Sequence, residues 1–196
     1  ISSGLVGSEM CIRDRYYNAF NKELMNIVLI GYMGSGKSKI GSQLAYKLGV
    51  NFIDLDQYIE KNENASINNI FEQSGDIYFR KVESKYLNKC LSENKNFVLS
   101  VGGGTPCYNN NIGIINSNNN ISIYLKNNNI DLSKRLYKNK NDRPLISGIE
   151  SEEKMVEFVS KHLFEREFYY NRAIITIDCY NKDFKTICDL IISNLD

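Results

Sequence analysis

The chain is poor in several residue types that often carry protein chemistry. It has no tryptophan, two prolines and one histidine among 196 residues. It also lacks an excess of either charge, because 24 Lys and Arg face 23 Asp and Glu for a net charge of +1. That balance does not favour nucleic acid or an anionic membrane as a partner. No apolar run approaches the roughly 18–20 residues that a membrane-spanning helix needs.

The cysteines form no recognisable metal or disulfide pattern. Their number is odd and they contain no Cys-x-x-Cys pair. Reduced, mostly buried thiols in a cytoplasmic protein are therefore expected. The single histidine, His162, cannot complete a metal site with them. It lies on the apolar face of a helical pattern, so we interpret it as a packed core residue. The cysteines are Cys11, Cys90, Cys107, Cys179 and Cys188.

The first 24 residues look foreign to the rest of the chain. Residues 5–15 resemble translated sequencing-adapter sequence, and Met25 stands just before the first apolar run. The segment lacks the longer apolar centre of a signal peptide. We expect residues 1–24 to be a non-native or disordered leader. Residues 25–196 are long enough for a single α/β domain with its own core.

The most informative segment is Gly31–Ser38, which reads Gly-Tyr-Met-Gly-Ser-Gly-Lys-Ser. It lies between the apolar run Ile27–Ile30 and a helical pattern, so strand, glycine-rich turn and helix follow in series. Backbone N–H groups of such a turn face an anion at the positive end of the helix. Lys37 adds a charge for the outer phosphates, and the Ser38 hydroxyl can bind Mg²⁺. The loop alone does not separate a kinase from an ATPase, a GTPase or a passive binder. Its predicted nucleotide-binding residues are Gly34, Ser35, Gly36, Lys37 and Ser38.

Four further segments have strand character: Asn51–Asp56, Phe97–Val101, Ile121–Leu125 and Ala173–Ile177. They alternate with helical patterns, which indicates an α/β fold whose parallel sheet is covered by helices on both faces. Ligands bind such sheets at the carboxyl ends of the strands. The Gly31–Ser38 loop, the acids Asp54 and Asp56, and the Gly102–Gly104 turn all follow strand ends. We expect them to converge on one cleft.

The two acids suggest a metal and hydroxyl site. Asp54 and Asp56 are two apart, so in an extended chain they would project on the same side. One could hold Mg²⁺ through water while the other grips a substrate hydroxyl. The alternative is that both are strand-end and helix-capping residues.

Three arginines suggest anion binding. Arg80 and Glu83 can pair on one helix face, and Glu83 lies in the apolar stripe, so it could steer Arg80 into the cleft. Arg166 continues the apolar stripe of the long C-terminal helix pattern, and an arginine there needs an anion. Arg143 lies in the charged segment 138–151, where it could act in a lid over a γ-phosphate. An ordinary surface ion pair and a solvated loop cation are the alternatives.

Taken together, these residues resemble shikimate kinase over residues 25–195. Each motif is weak alone, but they occur in the family's order and at nearly its spacing. The motifs are Gly-x-x-Gly-x-Gly-Lys-Ser, Asp54-x-Asp56, Phe79-Arg80-x-x-Glu83, Gly102-Gly103-Gly104, Arg143-Pro144-Leu145 and Arg166-x-x-x-Tyr170.

The resemblance implies a three-layer P-loop kinase fold. Its five-stranded parallel sheet would have the order 2-3-1-4-5, with a lid at about 138–151 and a substrate-binding helical region. The implied reaction is phosphorylation of the 3-hydroxyl of shikimate by ATP with Mg²⁺, on the pathway to chorismate and the aromatic amino acids. A cytoplasmic monomer is expected, with shikimate and ATP as its partners.

The resemblance also implies roles for individual residues. Asp56 would hold, and could deprotonate, the shikimate hydroxyl, while Asp54 and Ser38 would anchor Mg²⁺. Arg80 and Arg166 would bind the shikimate carboxylate. Lys37, Asp56 and Arg143 are thus the implied catalytic residues. The remaining implied contacts are those of Gly102, Gly103 and Gly104 with shikimate and of Lys39, Arg135 and Arg143 with the nucleotide.

The chain departs from the family pattern at a few positions. Lys39 stands where the family usually has threonine. Arg135 matches the family's adenine-stacking arginine only if one residue is inserted before Arg143. Phe168-Tyr169 replaces the Pro-Leu that often follows the position of Arg166.

Other functions remain open at the level of sequence. Dephospho-CoA kinase shares the Gly-Ser-Gly-Lys-Ser loop and an Asp-x-Asp pair, but it leaves the paired arginines and the Gly102–Gly104 turn unexplained. Adenylate-kinase-like enzymes usually carry Gly-Thr after the loop lysine. A non-catalytic ligand-binding homologue is a third alternative. The presence of all the transfer residues argues against it.

Overall fold

The computed structural model describes residues 26–117, 119–140 and 143–195. Within them, five strands form one parallel sheet in the order β2-β3-β1-β4-β5, as the family resemblance implied. The expected leader, residues 1–24, lies outside the described residues. The strands are β1 Asn26–Ile30, β2 Asn51–Asp54, β3 Phe97–Ser100, β4 Asn120–Lys126 and β5 Ile175–Asp178.

The central strand β1 divides the protein into two hydrophobic cores. Alternate side chains of a strand point to opposite faces of the sheet. Val28 and Ile30 accordingly join one core, and Ile27 and Leu29 join the other. All four are buried, which is why β1 reads as an uninterrupted apolar run.

Helices cover both faces and complete the three layers. The Ile27 side of the sheet packs on α1 and α8, and the Val28 side packs on α3, α5 and α7. None of the described helices is long and apolar enough to cross a membrane. The helices are α1 Lys37–Leu48, α2 Leu55–Glu63, α3 Ile67–Glu93, α4 Asn111–Ile115, α5 Asn129–Lys138, α6 Pro144–Ser147, α7 Glu152–Tyr170 and α8 Phe184–Ser193.

The long helix α3 is interrupted at Gly75. The backbone leaves the helical conformation at this residue, with φ 76° and ψ 174°. That region of the backbone map is open essentially to glycine alone. The break lets the second half of α3, which carries Arg80 and Glu83, start in a new direction.

Some expected boundaries were wrong. β2 ends at Asp54 and α2 begins at Leu55, so Asp56 is helical and does not extend the strand. The region after the third strand contains a 3-10 helix, Thr105–Cys107, and α4. The charged segment 138–151 includes α6, and residues 141 and 142 of it lie outside the described residues.

Candidate active site

The phosphate loop is built on two glycines in the left-handed region. Gly34 and Gly36 have φ of 77° and 90°, which other residues adopt only with strain. Gly36 also stands directly before α1, and a Cβ there would lie 3.1 Å from the Phe184 ring. The loop therefore turns sharply and delivers its N–H groups to the start of a helix.

Lys37 closes the loop from inside. Its ammonium donates to the carbonyl oxygens of Gly31 at 3.0 Å and Tyr32 at 2.9 Å, and the side chain is only 8% exposed. Burial lowers the pKa of Lys37 to about 8, although the carboxylates of Asp56 and Asp54 oppose that shift. A bound phosphate would supply the counter-charge that the buried ammonium lacks.

Ser38 and Asp54 meet across the cleft. Ser38 Oγ donates to Asp54 Oδ2 at 2.6 Å, and the other carboxylate oxygen accepts from the backbone N–H groups of Asp56 and Gln57. Asp54 thus caps α2, as the second interpretation expected, and it also faces the phosphate loop, while its role in holding Mg²⁺ stays a prediction. A hydroxyl and a carboxylate side by side are the hard oxygen donors that Mg²⁺ prefers.

Asp56 lies in the first turn of α2 and faces the open cleft. Although its side chain is in contact with water, the cleft walls desolvate the carboxylate and raise its pKa to about 6. Repulsion from Asp54 and Glu83 adds to the rise, and Lys37 opposes it. A carboxylate with a pKa near neutrality is suited to accept a proton.

These groups line one cleft of about 350 Å³. Most of the residues predicted from sequence lie in its wall, including Arg143, the N-cap residue of α6. From the loop side come Gly34, Gly36, Lys37, Ser38 and Lys39. From the other strand ends come Asp54, Asp56, Gly102 and Gly103, and from the segment before α6 comes Arg143.

The Gly102–Gly104 turn is glycine-rich because three neighbours crowd it. A Cβ on Gly102 would lie 3.2 Å from Asp56 Oδ1, and one on Gly103 would lie 3.1 Å from the backbone nitrogen of Met33. A Cβ on Gly104 would lie 3.0 Å from Arg80 Nη1. The turn thus joins the phosphate loop, the acid and the arginine in close contact.

Arg80 is held rigidly beside this turn. Its Nη1 donates to Glu83 Oε2 at 2.9 Å and its Nε donates to Asp76 at 3.2 Å. The guanidinium also lies 4.1 Å from the centre of the Tyr108 ring. The expected pair of Arg80 and Glu83 is present, and Glu83 is buried, although Arg80 is not among the residues that line the cleft.

Arg166 differs from Arg80 in its charge environment. Its guanidinium lies 5.7 Å from the centre of the Tyr32 ring. Across residues 26–117, 119–140 and 143–195 it forms no ion pair with a carboxylate. Its charge acts on Lys37, Cys107 and Tyr170, so it lies close to the cleft. Arg166 is therefore available to an anionic ligand.

Five of the predicted site residues are not part of the cleft lining: Ser35, Arg80, Gly104, Arg135 and Arg166. Arg135 is exposed in the last turn of α5 and does not line the cleft. The Ser35 side chain is buried, so only its backbone could meet a phosphate. Lys39 does line the cleft, with its ammonium 4.5 Å from the centre of the Phe184 ring.

His162 was expected in the core, and the structure places it elsewhere. It is partly exposed, packs on Phe158, and lies with Nδ1 3.3 Å from the Tyr32 hydroxyl. Residues 32 and 162 are far apart in sequence, so no local pattern could have indicated this contact. The four described cysteines are free, as expected.

Comparisons with known proteins agree with this geometry. A model of the shikimate kinase family matches residues 33–196. The shikimate kinase of Flavobacterium johnsoniae is 45% identical over 166 residues, which is 84% of this chain and 96% of the relative. That of Flavobacterium psychrophilum is 43% identical over 154 residues, 79% of this chain and 89% of the relative.

The comparison with solved structures also finds shikimate kinases. The crystal structure of shikimate kinase from Bacteroides thetaiotaomicron superposes with a TM-score of 0.82 at 30% identity, covering 88% of this chain and 99% of that one. Shikimate kinase from Acinetobacter baumannii, solved in complex with shikimate, superposes with a TM-score of 0.78 at 32% identity. The match covers 91% of this chain and 96% of that one. The chain described here belongs to the shikimate kinase family.

Proposed function

We propose that this protein transfers the γ-phosphoryl group of ATP to the 3-hydroxyl of shikimate, on the route to chorismate and the aromatic amino acids. The observation that carries the proposal is the convergence of Lys37, Asp56 and Arg143 on one cleft, beside the Gly102–Gly103 turn. The relatives named shikimate kinase support the substrate, and the complex of the Acinetobacter baumannii enzyme with shikimate supports it further.

The carboxylate of shikimate binds between Arg80 and Arg166. Arg80 supplies a fixed donor, because Glu83 and Asp76 already balance its charge. Arg166 supplies the charge, because it has no carboxylate partner in the described parts of the chain. Charge-assisted hydrogen bonds to a carboxylate contribute about 1.5–3 kcal/mol each. The ring then lies along Gly102, Gly103 and Gly104, with a hydroxyl directed at Asp56.

The phosphates of ATP bind the loop at the start of α1. The Lys37 ammonium leaves the carbonyls of Gly31 and Tyr32 and contacts the β- and γ-phosphates. The donors Ser38 and Asp54 suit Mg²⁺, which neutralises phosphate charge when bound. Within the described residues no group of three or more His, Cys, Asp or Glu could hold a metal. An ion that keeps waters and uses phosphate oxygens fits that arrangement.

The transfer requires alignment more than covalent chemistry from the protein. The 3-hydroxyl oxygen bonds to the γ-phosphorus as the bond from that phosphorus to the β–γ bridging oxygen breaks, and ADP leaves. The hydroxyl proton passes to the Asp56 carboxylate. Arg143 and Lys37 stabilise the charge on the transferring oxygens, and closure of the 138–151 segment excludes the water that would otherwise hydrolyse ATP.

A coupled assay of ADP release tests the proposal. The full chain with MgATP should release ADP when shikimate is added, and not when gluconate, dephospho-CoA or AMP is added. Turnover with dephospho-CoA in place of shikimate would support the rival kinase, which the comparisons do not favour. Absence of shikimate-dependent turnover would reject the proposal.

The carboxylate assignment has its own test. Arg166→Ala should raise the KM for shikimate by roughly 10²-fold, because a charge-assisted contact is lost. The KM for ATP should stay within about twofold. An unchanged KM for shikimate would show that the anion binds elsewhere.

A further inference from the structure

The chain's only histidine lies on the same helix as Arg166, and the proposed mechanism gives it no role. His162 is on α7, one helical turn before Arg166. Its ring packs against Phe158 with centroids 4.2 Å apart. Its Nδ1 lies 3.3 Å from the Tyr32 hydroxyl, with either atom donating according to the histidine tautomer. The ring is thus fixed by one apolar and one polar contact.

Tyr32 is the partner that gives this contact a function. Its side chain is 1% exposed, and its ring lies edge-on to His162 with centroids 6.4 Å apart. The Arg166 guanidinium lies 5.7 Å from the centre of the same ring. Its backbone carbonyl accepts from Lys37 Nζ at 2.9 Å. One residue of the phosphate loop therefore contacts His162, Arg166 and Lys37.

We propose that His162 is a positioning residue for the carboxylate subsite, because it holds the Tyr32 hydroxyl and so fixes the ring beside which Arg166 lies. This inference rests on the proposed function, in which Arg166 binds the carboxylate of shikimate. Arg166 has no ion pair in the described parts of the chain to fix it, in contrast to Arg80 with its two acids. Its position depends on the surface against which it packs.

The charges around His162 make its pKa a way to test this role. Burial lowers the pKa of His162, and the neighbouring charge of Arg166 lowers it further. Lys161 acts in the same direction and Glu165 in the opposite one. Tyr32, which faces His162 from the phosphate loop, has its pKa raised to about 12 by burial and stays neutral.

Substrate should therefore change the protonation of His162. A carboxylate bound to Arg166 offsets the positive charge that disfavours the imidazolium, so the pKa of His162 rises on binding. Reciprocity then requires that shikimate binds more tightly when His162 is protonated. A histidine that does not face the carboxylate subsite would show neither effect, and the KM comparison below separates a positioning role from mere proximity.

The first experiment compares the KM values of the two substrates. His162→Phe keeps a ring against Phe158 and removes the nitrogen that meets Tyr32. We expect it to raise the KM for shikimate about three- to tenfold, the change that loss of one hydrogen bond produces, and to leave the KM for ATP within about twofold. His162→Asn retains a polar group near Nδ1 and should restore most of the affinity. Phe164→Ala, at an exposed ring on the same helix, is the control.

A double-mutant cycle tests whether Tyr32 is the intermediary. Tyr32→Phe should raise the KM for shikimate as much as His162→Phe does. The combined variant should show little further rise in this KM, because both substitutions remove the same hydrogen bond. Independent, multiplying effects would overturn the proposed chain of contacts.

The second experiment uses NMR, since one histidine gives one imidazole titration. The pKa of His162 should be higher at saturating shikimate than in the free protein, and Arg166→Ala should abolish the difference. If Arg166→Ala raises the KM while His162→Phe does not, the inference fails and the proposed function stands. If turnover is absent, the proposed function fails and the titration alone decides the inference. An unchanged pKa at saturating shikimate overturns it.

Discussion

Glu83 binds Arg80 from a position that is almost closed to water. The carboxylate is 1% exposed, and its Oε2 accepts from Arg80 Nη1 at 2.9 Å. Its Oε1 accepts from Thr105 Oγ1 at 2.6 Å, so both oxygens are occupied. One buried acid thus orients the arginine of α3 and anchors the 3-10 helix after the glycine turn.

Substitution of Glu83 should therefore affect both stability and substrate binding. We expect Glu83→Gln to lower the free energy of unfolding by about 1–3 kcal/mol, because a charge-assisted bond is lost and a buried group is left poorly paired. The KM for shikimate should rise about tenfold as Arg80 loses its fixed orientation. Urea denaturation and steady-state kinetics measure the two effects.

A matched control lies further along the same helix. Glu93 forms an exposed pair with Lys89 at 4.0 Å. Exposed pairs contribute little, so Glu93→Gln should change stability by less than about 0.5 kcal/mol and leave the KM unchanged. Equal effects of the two substitutions would contradict a special role for Glu83.

The pH dependence of kcat/KM should be bell-shaped. Asp56 must be ionised to accept a proton, so activity should fall as the pH drops below its pKa of about 6. Lys37 must be charged to contact phosphate, so activity should fall as the pH rises above its pKa of about 8. Bound phosphates favour the charged lysine, so the basic limb of kcat should lie higher than that of kcat/KM.

Asp56→Asn should abolish the chemistry without abolishing nucleotide binding. Removal of a general base costs about 10²–10⁴-fold in rate. The Kd for ATP should remain within about threefold, because the phosphate loop is intact; calorimetry of MgATP binding measures it. Residual turnover that keeps an acidic limb near pH 6 would assign that limb to another group.

Gly103→Ala tests the close approach of the glycine turn to the phosphate loop. The added Cβ would lie 3.1 Å from the backbone nitrogen of Met33, so one of the two loops must move. We expect a loss of about 1–3 kcal/mol in stability and a marked loss of activity. Gly148→Ala meets no atom within 4 Å and should be nearly neutral in both measurements.

Lys39 directly follows the phosphate loop, at a position where the family resemblance implies threonine. Its ammonium lies over Phe184, and the residue lines the cleft. We expect Lys39→Ala to raise the KM for ATP about two- to fivefold and to leave the KM for shikimate unchanged, with the effect shrinking at high salt. A change in the shikimate KM would contradict placement beside the nucleotide.

Much of the site could be predicted from the sequence because the fold collects strand ends at one edge. The loop Gly31–Ser38, the acids and the triple glycine each lie at or just after the end of a strand, so their convergence needed only the parallel topology. Arg80 and Glu83 are three apart on a helix, a spacing that places them in contact. Roles assigned to these residues within the reaction stay predictions.

The sequence-based predictions were wrong where a helix cap competes with strand extension, or where residues distant in sequence come into contact. Asp54 ends its strand because its carboxylate accepts from the N–H groups of Asp56 and Gln57, and capping of α2 wins over continued extension. The predicted same-side projection of the two acids in an extended chain was therefore wrong, although both still reach the cleft. The contact of His162 with Tyr32 depends on how α7 packs across the sheet, which no periodicity encodes.

The two hydrogen bonds from Lys37 to backbone carbonyl oxygens give this lysine a structural role besides its proposed catalytic one. In the protein without nucleotide the ammonium braces the turn from inside, so its removal would leave the oxygens of Gly31 and Tyr32 without that donor. A Lys37 substitution would thus weaken the scaffold together with the chemistry. Asp56→Asn, which leaves this brace untouched, is the variant that separates catalytic loss from damage to the fold.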